Sequence, residues 1–332
     1  MTASPPVLST DQGPGHFLGI DIGGTKLAVG VSSQSGKLLA SERIPTDSGD
    51  GPDRVLSRLI DVCRRVIGEA DVKITAAGVG CVGPLDQKTG YVINPVNLKG
   101  WKRVPLVDTI RDALQMPVFL DNDANAAALG EHRFGAGRGV ANMIYLTIST
   151  GIGGGIITNN QLYQGDNGNA GELGHMSVNF AGRPCGCGNL GCIETYASGT
   201  AIAARAREAL KPGDRSLLHT LAPSAEKING QIVVEAVRQK DPVAMRIWDE
   251  TIDALGVAMA SFIHIFNPRR IVIGGGISNA GDLLFEPLRE KTRRHAMPML
   301  YDICQIVPAE LGDQVGVLGA VAVALQGANP SR

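Results

Sequence analysis

Three of the six cysteines, Cys185, Cys187 and Cys192, fall within one short stretch, and His175 precedes them. Three thiolates and one imidazole make a closed tetrahedral donor set for Zn²⁺. Gly186, Gly188 and Gly191 are expected to let the backbone turn tightly enough for the sulfurs to converge. With all four positions filled by protein, such a metal is structural. Glu172 and Glu194 bracket the segment. Carboxylates and an imidazole suit vicinal diols, and His175 could hold metal with one ring nitrogen and a hydroxyl with the other. Solvated surface carboxylates are the ordinary alternative for the two glutamates.

Two glycine turns form a second group. Asp21-Ile22-Gly23-Gly24-Thr25-Lys26 and Thr150-Gly151-Ile152-Gly153-Gly154-Gly155 each place glycines and a hydroxyl after an apolar run. A phosphate held by backbone N–H groups needs a turn of this kind, free of obstructing Cβ atoms. A plain hairpin turn is the competing reading, and the recurrence of the pattern in matching contexts favours phosphate. Asp21 is placed to hold a Mg²⁺ shared with phosphates. No G-x-x-x-x-G-K-[ST] motif occurs, and Gly151-Ile152-Gly153 leads into another strand, not the helix a dinucleotide fingerprint needs. Gly274-Gly275-Gly276 follows a strand, where glycines would let an adenine or ribose lie against the backbone or would simply permit tight packing. Asp123 is the candidate general base. Phosphoryl transfer to an alcohol needs alignment, charge neutralisation and a carboxylate to accept the hydroxyl proton. Asn122 beside it could orient a sugar hydroxyl, and Asp121 or Asp123 could instead cap the following helix.

The elements around these residues follow from periodicity. Phe17–Ile22, Thr25–Val31 and Leu38–Ile44 read as a three-stranded meander, and Met143–Ser149 with Ile152–Ile157 repeats its first hairpin. Ile74–Val82 and Val118–Leu120 read as buried strands, and Ile271–Ile273 as another. Helical faces run over Arg54–Ile67, Val104–Leu114, Ala124–Arg133, Gly199–Leu210, Ile228–Gln239, Pro242–Phe266, Gly281–Arg294 and Gln314–Leu325. The repeated meander predicts two similar α/β domains facing each other across a cleft, each offering a glycine turn.

Bulk properties narrow the class. The chain has 332 residues and a formal net charge of −1, so no basic surplus points to nucleic acid or an anionic membrane. Aromatic residues make up 4 %, too few for a base-stacking platform. No apolar run reaches membrane-spanning length. Residues 1–16 lack a signal peptide's basic and apolar regions and read as a disordered tail, which places the protein in the cytoplasm. In that compartment the cysteine cluster is a metal site and not a disulfide set, while Cys63, Cys81 and Cys304 read as buried small hydrophobes.

LGIDIGGTK, GVGCVGPLD, NPVNLKGW, FLDNDANAAALGE, STGIGGGI, GELGHM, CGCGNLGCIETYASG and IVIGGGIS together resemble the bacterial glucokinases of the ROK (repressor, ORF, kinase) family, in the actin-like ATPase superfamily. The resemblance covers nearly everything after residue 16. It implies two actin-like ATPase (ribonuclease H-like) α/β domains with a deep cleft. The smaller would span 17–122 plus 313–327, closed by the last helix, and the larger 123–312, with zinc-binding segment 175–192. The implied reaction is ATP-dependent phosphorylation of a hexose, for glucose at the 6-hydroxyl, with Asp123 as base. Sugar contacts would come from Gly83, Asn97, Asn122, Asp123, Glu172, His175 and Glu194. Asp21, Gly23, Gly24, Thr25 and Lys26, with Thr150 and Gly151, would hold phosphate, and Gly275 and Gly276 would face the nucleotide. Structural Zn²⁺ would sit on His175, Cys185, Cys187 and Cys192, and the family is commonly dimeric or tetrameric. Mannose, N-acetylmannosamine, N-acetylglucosamine and fructose remain open as acceptors, and ADP and polyphosphate as donors. A sugar-binding regulator without catalysis is the reading from another class. The family's repressors carry an N-terminal helix-turn-helix, and only sixteen residues precede the first strand here.

Overall fold

The computed structural model describes residues 15–211 and 213–328. Of the expected disordered tail, residues 1–14 lie outside the described residues, while His16 already opens the first strand. The chain forms two compact units. One holds the described residues up to Asp123 together with those from Gly316 onward, and the other is Ala124–Val315. The chain therefore crosses between units at 123/124 and again at 315/316.

In the first unit β1 (His16–Ile22), β2 (Lys26–Ser33) and β3 (Leu38–Pro45) form the expected meander. β4 (Ile74–Cys81) follows α1 (Pro52–Ala70). The small hairpin β5 (Leu85–Asp86) and β6 (Tyr91–Val92) comes next, then α2 (Leu106–Leu114) and β7 (Val118–Asn122). The sheet order is β3-β2-β1-β4-β7, with antiparallel pairs in the meander and parallel pairs from β1 to β4 to β7. Strand alternation divides the side chains of β1 between two faces. Leu18, Ile20 and Ile22 join a core with Val55, Leu59, Val62 and Val66 of α1. Gly19 and Asp21 point the other way, toward the closing helix Val315–Ala328. A Cβ on Gly19 would lie 2.2 Å from the Val317 carbonyl oxygen, and one on Gly78 of β4 1.9 Å from that of Ala320. Only glycine admits so close a helix. This seating buries a helix too apolar to stand in water.

The second unit repeats the plan. α3 (Asp123–Phe134) enters it, followed by β8 (Met143–Ile148), β9 (Ile152–Thr158) and β10 (Gln161–Leu162). The helices α4 (Glu194–Ala197), α5 (Gly199–Ala209), α6 (Leu218–Leu221), α7 (Gly230–Arg238) and α8 (Pro242–Phe266) precede β11 (Arg270–Gly274). α9 (Asp282–His295), α10 (Pro298–Tyr301) and β12 (Gln305–Pro308) complete it. The order β10-β9-β8-β11-β12 matches that of the first sheet, again with two parallel pairs at one side. The even-numbered apolar residues of β8 and β9 join Ile202, Val233, Ile252 and Leu255 in one core. Gly153 and Gly155 of β9 face Ala124 and Ala128 of α3, with virtual Cβ separations of 3.0 and 2.5 Å. Each sheet thus seats one helix that begins at a crossing.

Several expected helices begin or end elsewhere. α2 starts at Leu106, because Val104, the residue before Pro105, is held extended in a bridge to Val92. After Gly275 a 3₁₀ turn, Gly276–Ala280, precedes α9, so the glycines do not lead directly into an α-helix. β12 and the short pieces α6 and α10 carry too few residues for periodicity to reveal. Among the described residues no helix is long and apolar enough to cross a membrane.

Candidate active site

In the first unit, register carries chemistry to one edge of the sheet. Asp21 on β1 aligns with Gly80 on β4, which aligns with Asp121 on β7; the next row is Ile22, Cys81 and Asn122. β7 ends at Asn122, and Asp123 opens α3, so Asp121-Asn122-Asp123 divides between a strand end and a helix start. Burial, and then the charge of Asp123, push the Asp21 carboxyl up from 3.8 to about 6, against the pull of Lys26 and Arg43. Asp21 and Asp123 are therefore electrostatic neighbours. A Cβ on Gly316 would meet the Asp21 carboxylate at 2.2 Å, so the start of the closing helix lies directly on that group.

The first glycine turn is tied to its surroundings by backbone. The Gly23 N–H donates to the Lys26 carbonyl at 3.0 Å, the Thr46 hydroxyl to the Gly23 carbonyl at 2.7 Å, and the Thr46 N–H to the Thr25 carbonyl at 3.1 Å. Thr25 and Lys26 are exposed. A Cβ on Gly24 would stand 2.7 Å from Cβ of Asn97, and one on Gly83 3.3 Å from the Asn122 amide nitrogen. The turn thus lies beside Asn97, and Gly83 beside Asn122. Gln87, which sequence reasoning passed over, acts here on Asp121. The Asp121 carboxylate is 4 % exposed and accepts 2.7 Å hydrogen bonds from Gln87 Nε2 and from the Asn122 N–H. Asp121 was expected as a possible helix cap, and these two bonds tie its carboxylate to Gln87 and orient the backbone of Asn122. Gln87 carries no motif that could have revealed it.

In the second unit the Cys/His set closes as expected. The donor atoms of His175, Cys185, Cys187 and Cys192 all lie within 4.8 Å of one another. His175 Nδ1 is 3.5 Å from Cys185 Sγ, and Cys187 Sγ is 3.7 Å from Cys192 Sγ. Tetrahedral edges around Zn²⁺ with sulfur ligands are about 3.8 Å, so the set fits that ion. Burial, then the neighbouring thiols, push the Cys192 thiol up to about 12; a cation is what lets such a group ionise. Gly188 and Gly191 hold positive φ of 93° and 69°. Gly186 has neither a positive φ nor a close neighbour, so only two of the three expected glycines are required by geometry. The other ring nitrogen of His175, Nε2, lies 4.0 Å from Glu172 Oε2. Cys63, Cys81 and Cys304 are buried singly.

Glu194 does not stand free on the surface. It opens α4, is half-buried, and accepts the Ile152 N–H on Oε2 at 2.8 Å, immediately after Thr150–Gly151. Gly275, with φ of 85°, lies against the end of β8: a Cβ there would be 2.4 Å from the Ile148 carbonyl oxygen. Both parallel neighbours, β8 and β11, thus deliver their glycine turns to one place. A cavity of about 360 Å³ opens there, lined by Thr150, Gly276, Arg207, Asn229 and Gln231 among others. A pocket of this size with an apolar floor and a few polar groups suits a nucleoside. Arg207, Asn229 and Gln231 lie on or beside helices distant in sequence from the turn, and no local pattern distinguishes them from other polar residues.

Comparison with known proteins places this geometry. The sequence matches the ROK family over residues 17–327. It is 41 % identical over 307 residues to a glucokinase of Thermotoga maritima, covering 92 % of this chain and 96 % of that protein. A ROK family glucokinase from Streptomyces griseus, solved in complex with glucose and AMPPNP, superposes with a TM-score of 0.80 at 36 % identity, over 94 % of this chain and 100 % of the other. A ROK hexokinase from Thermus thermophilus gives a TM-score of 0.83 at 34 % identity, over 95 % and 100 %.

Proposed function

The chain belongs to the ROK family, and from that premise we propose that it is an ATP-dependent glucokinase that phosphorylates the 6-hydroxyl of glucose with Asp123 as general base. The observation that carries this reading is the electrostatic proximity of Asp123, at the start of α3, to Asp21, near the end of β1, with β4 between β1 and β7. Transfer of a phosphoryl group to an alcohol calls for two carboxylates with different duties: one to take the hydroxyl proton, one to attract a cation that accompanies the nucleotide. The glucokinase relatives support glucose as acceptor, and the complex with AMPPNP supports ATP as donor.

In this reading Asn122 and Asp123 hold the reacting hydroxyl, and Asp123 accepts its proton as the sugar oxygen attacks the γ-phosphorus and ADP departs. Asp121 and Gln87 fix the backbone that presents the pair. Gly83, Asn97, Glu172, His175 and Glu194 bind the remaining sugar hydroxyls. The backbone of Gly23–Lys26 and of Thr150–Gly151 binds phosphate. The Gly23 amide is already used within its turn, which leaves those of Gly24 and Thr25. Gly275, Gly276, Arg207, Asn229 and Gln231 receive the nucleoside. Asp21 would hold Mg²⁺, which supplies charge neutralisation on the phosphates. His175, Cys185, Cys187 and Cys192 would hold Zn²⁺, which supplies rigidity to the segment that carries His175 and Glu194. The reading includes a homodimer or homotetramer in the cytoplasm, which sedimentation and cell fractionation check.

The test is a coupled assay at fixed ATP with glucose, mannose, N-acetylmannosamine, N-acetylglucosamine and fructose, repeated with ADP and polyphosphate as donors. Glucose with ATP should give the highest kcat/KM. Absence of phosphorylation of every sugar would overturn the kinase reading in favour of a sugar-binding regulator.

A further inference from the structure

In the glucokinase reading Glu194 is a carboxylate beside an anion site. Its neighbour in space is the turn assigned to phosphate, and like charges repel most strongly where water is scarce. Yet Oε2 accepts the Ile152 N–H at 2.8 Å, and a Cβ on Gly151 would come within 2.7 Å of the same oxygen. The turn is held at a second point by the same segment. The Gly199 N–H donates to the Ser149 carbonyl at 2.7 Å, while the Ser149 N–H donates to that of Gly151 at 2.9 Å. Glu194 and Gly199 thus grip the turn from both sides through the short helix α4 and the residue pair that follows it.

That helix has only four residues and no intrinsic stability, so its position must come from outside. The Arg205 guanidinium, 4 % exposed, donates to the Tyr196 carbonyl at 2.7 Å and to the Thr251 hydroxyl at 3.0 Å. The Thr251 hydroxyl also donates to the Tyr196 carbonyl, at 3.2 Å. On the other side, fully buried Ile193 donates its N–H to Met176 at 3.0 Å. A glutamate so firmly mounted is a brace and not a freely moving surface acid.

We propose that Glu194 is a positioning residue for the donor as well as a ligand of the acceptor: Oε2 shapes the Thr150–Gly151 turn for the ATP phosphates, and Oε1 is left for a sugar hydroxyl. This rests on the glucokinase reading above. It makes one side chain common to the two substrates, and it explains why an acid is kept beside an anion site. A hydroxyl donated to Oε1 draws charge away from the phosphates, so glucose tightens nucleotide binding.

The test is calorimetric titration of AMPPNP, without sugar, into wild type, Glu194→Asp, Glu194→Gln and Glu194→Ala, each shown to be folded by its circular dichroism melt. Aspartate keeps the charge but is one methylene too short to reach Ile152. Its Kd for AMPPNP should weaken at least ~10-fold, and Glu194→Ala should weaken with it. Glutamine offers a carbonyl oxygen to the same N–H and should stay within about threefold of wild type. All three should raise KM for glucose. A residue that only binds sugar would leave AMPPNP affinity unmoved in every variant, and that result overturns the proposal. Equal loss in Glu194→Gln and Glu194→Asp would also overturn it, by removing the rescue. Wild-type protein that binds no AMPPNP would bring down the kinase reading itself, whereas unchanged affinity in Glu194→Asp brings down this inference alone.

Discussion

The two sheets have the same strand order and the same use of glycine to seat a crossing helix, but their turns are supported in opposite ways. After β1 the turn is tied by backbone and by the Thr46 hydroxyl, and the nearby carboxylate, Asp21, is half-buried and pushed up to about 6. After β8 the turn is tied by a carboxylate, Glu194, whose charge is met by a backbone N–H. A common scaffold has thus been furnished once with an acid whose electrostatic neighbour is a second carboxylate and once with an acid that has a backbone donor. The lesson is that repetition of fold does not repeat function: the strand ends are equivalent, and the partners given to each acid decide its duty.

The sharpest way to break this comparison is at Asp123, the acid that opens the first crossing helix. Asp123→Asn should lower kcat by roughly 10³-fold, about 4 kcal/mol of barrier, with glucose affinity by calorimetry changed only a few-fold. A variant that turns over normally would remove the catalytic distinction between the units. Next in size is the Cys/His segment, which among the described residues occurs in the second unit alone. Cys185→Ser, or chelation of the native protein, should remove the metal seen by elemental analysis, nominally one zinc per chain. It should raise KM for glucose by about 10–100-fold, since His175 loses its fixed ring orientation.

The seats of the two crossing helices offer a direct contrast. Gly78→Ala drives a Cβ to 1.9 Å from a helix carbonyl, whereas Gly155→Ala meets the Ala128 methyl at 2.5 Å. Chemical denaturation should show the first costing about 3 kcal/mol or more and the second nearer 1–2 kcal/mol, because a backbone carbonyl has less room to yield. Equal losses would show that the seats are not graded by these approaches.

Asp21 supplies a pH test. Its carboxyl titrates near the ordinary 3.8 when unfolded and at about 6 when folded, so the folded state binds the proton more tightly. Its contribution is favourable below pH 3.8 and is lost as pH rises toward 6. Above that, with no metal bound, ionised Asp21 opposes folding by roughly 1–3 kcal/mol. Asp21→Asn should therefore melt higher than wild type at pH 7.5, and the gap should close toward pH 4, while activity falls. The smallest effect is expected at Gln87, whose amide orients Asp121. Gln87→Ala should lower kcat/KM by about 10-fold or less, with melting temperature little changed.

Much of this arrangement was legible in the chain itself. The spacing of Cys185, Cys187 and Cys192 with His175 pointed to a closed donor set, and the four donor atoms do converge within 4.8 Å of one another. The meander pattern and its echo after residue 143 required two like sheets, since period-two alternation leaves little choice of face. Asp123 was visible as the acid at a strand-to-helix junction. What the chain alone did not decide was partnership. That Glu194 belongs to the Ile152 N–H, that Asp121 is oriented by Gln87, that Asp21 is neighbour to Asp123 and to Gly316, and that Arg207 and Asn229 share a cavity with Thr150 are facts of parallel register and helix seating. Local sequence sets which groups a residue offers and how its backbone turns. Which group it meets across tens or hundreds of residues is set by packing, and the energies that give an acid its role depend on that meeting.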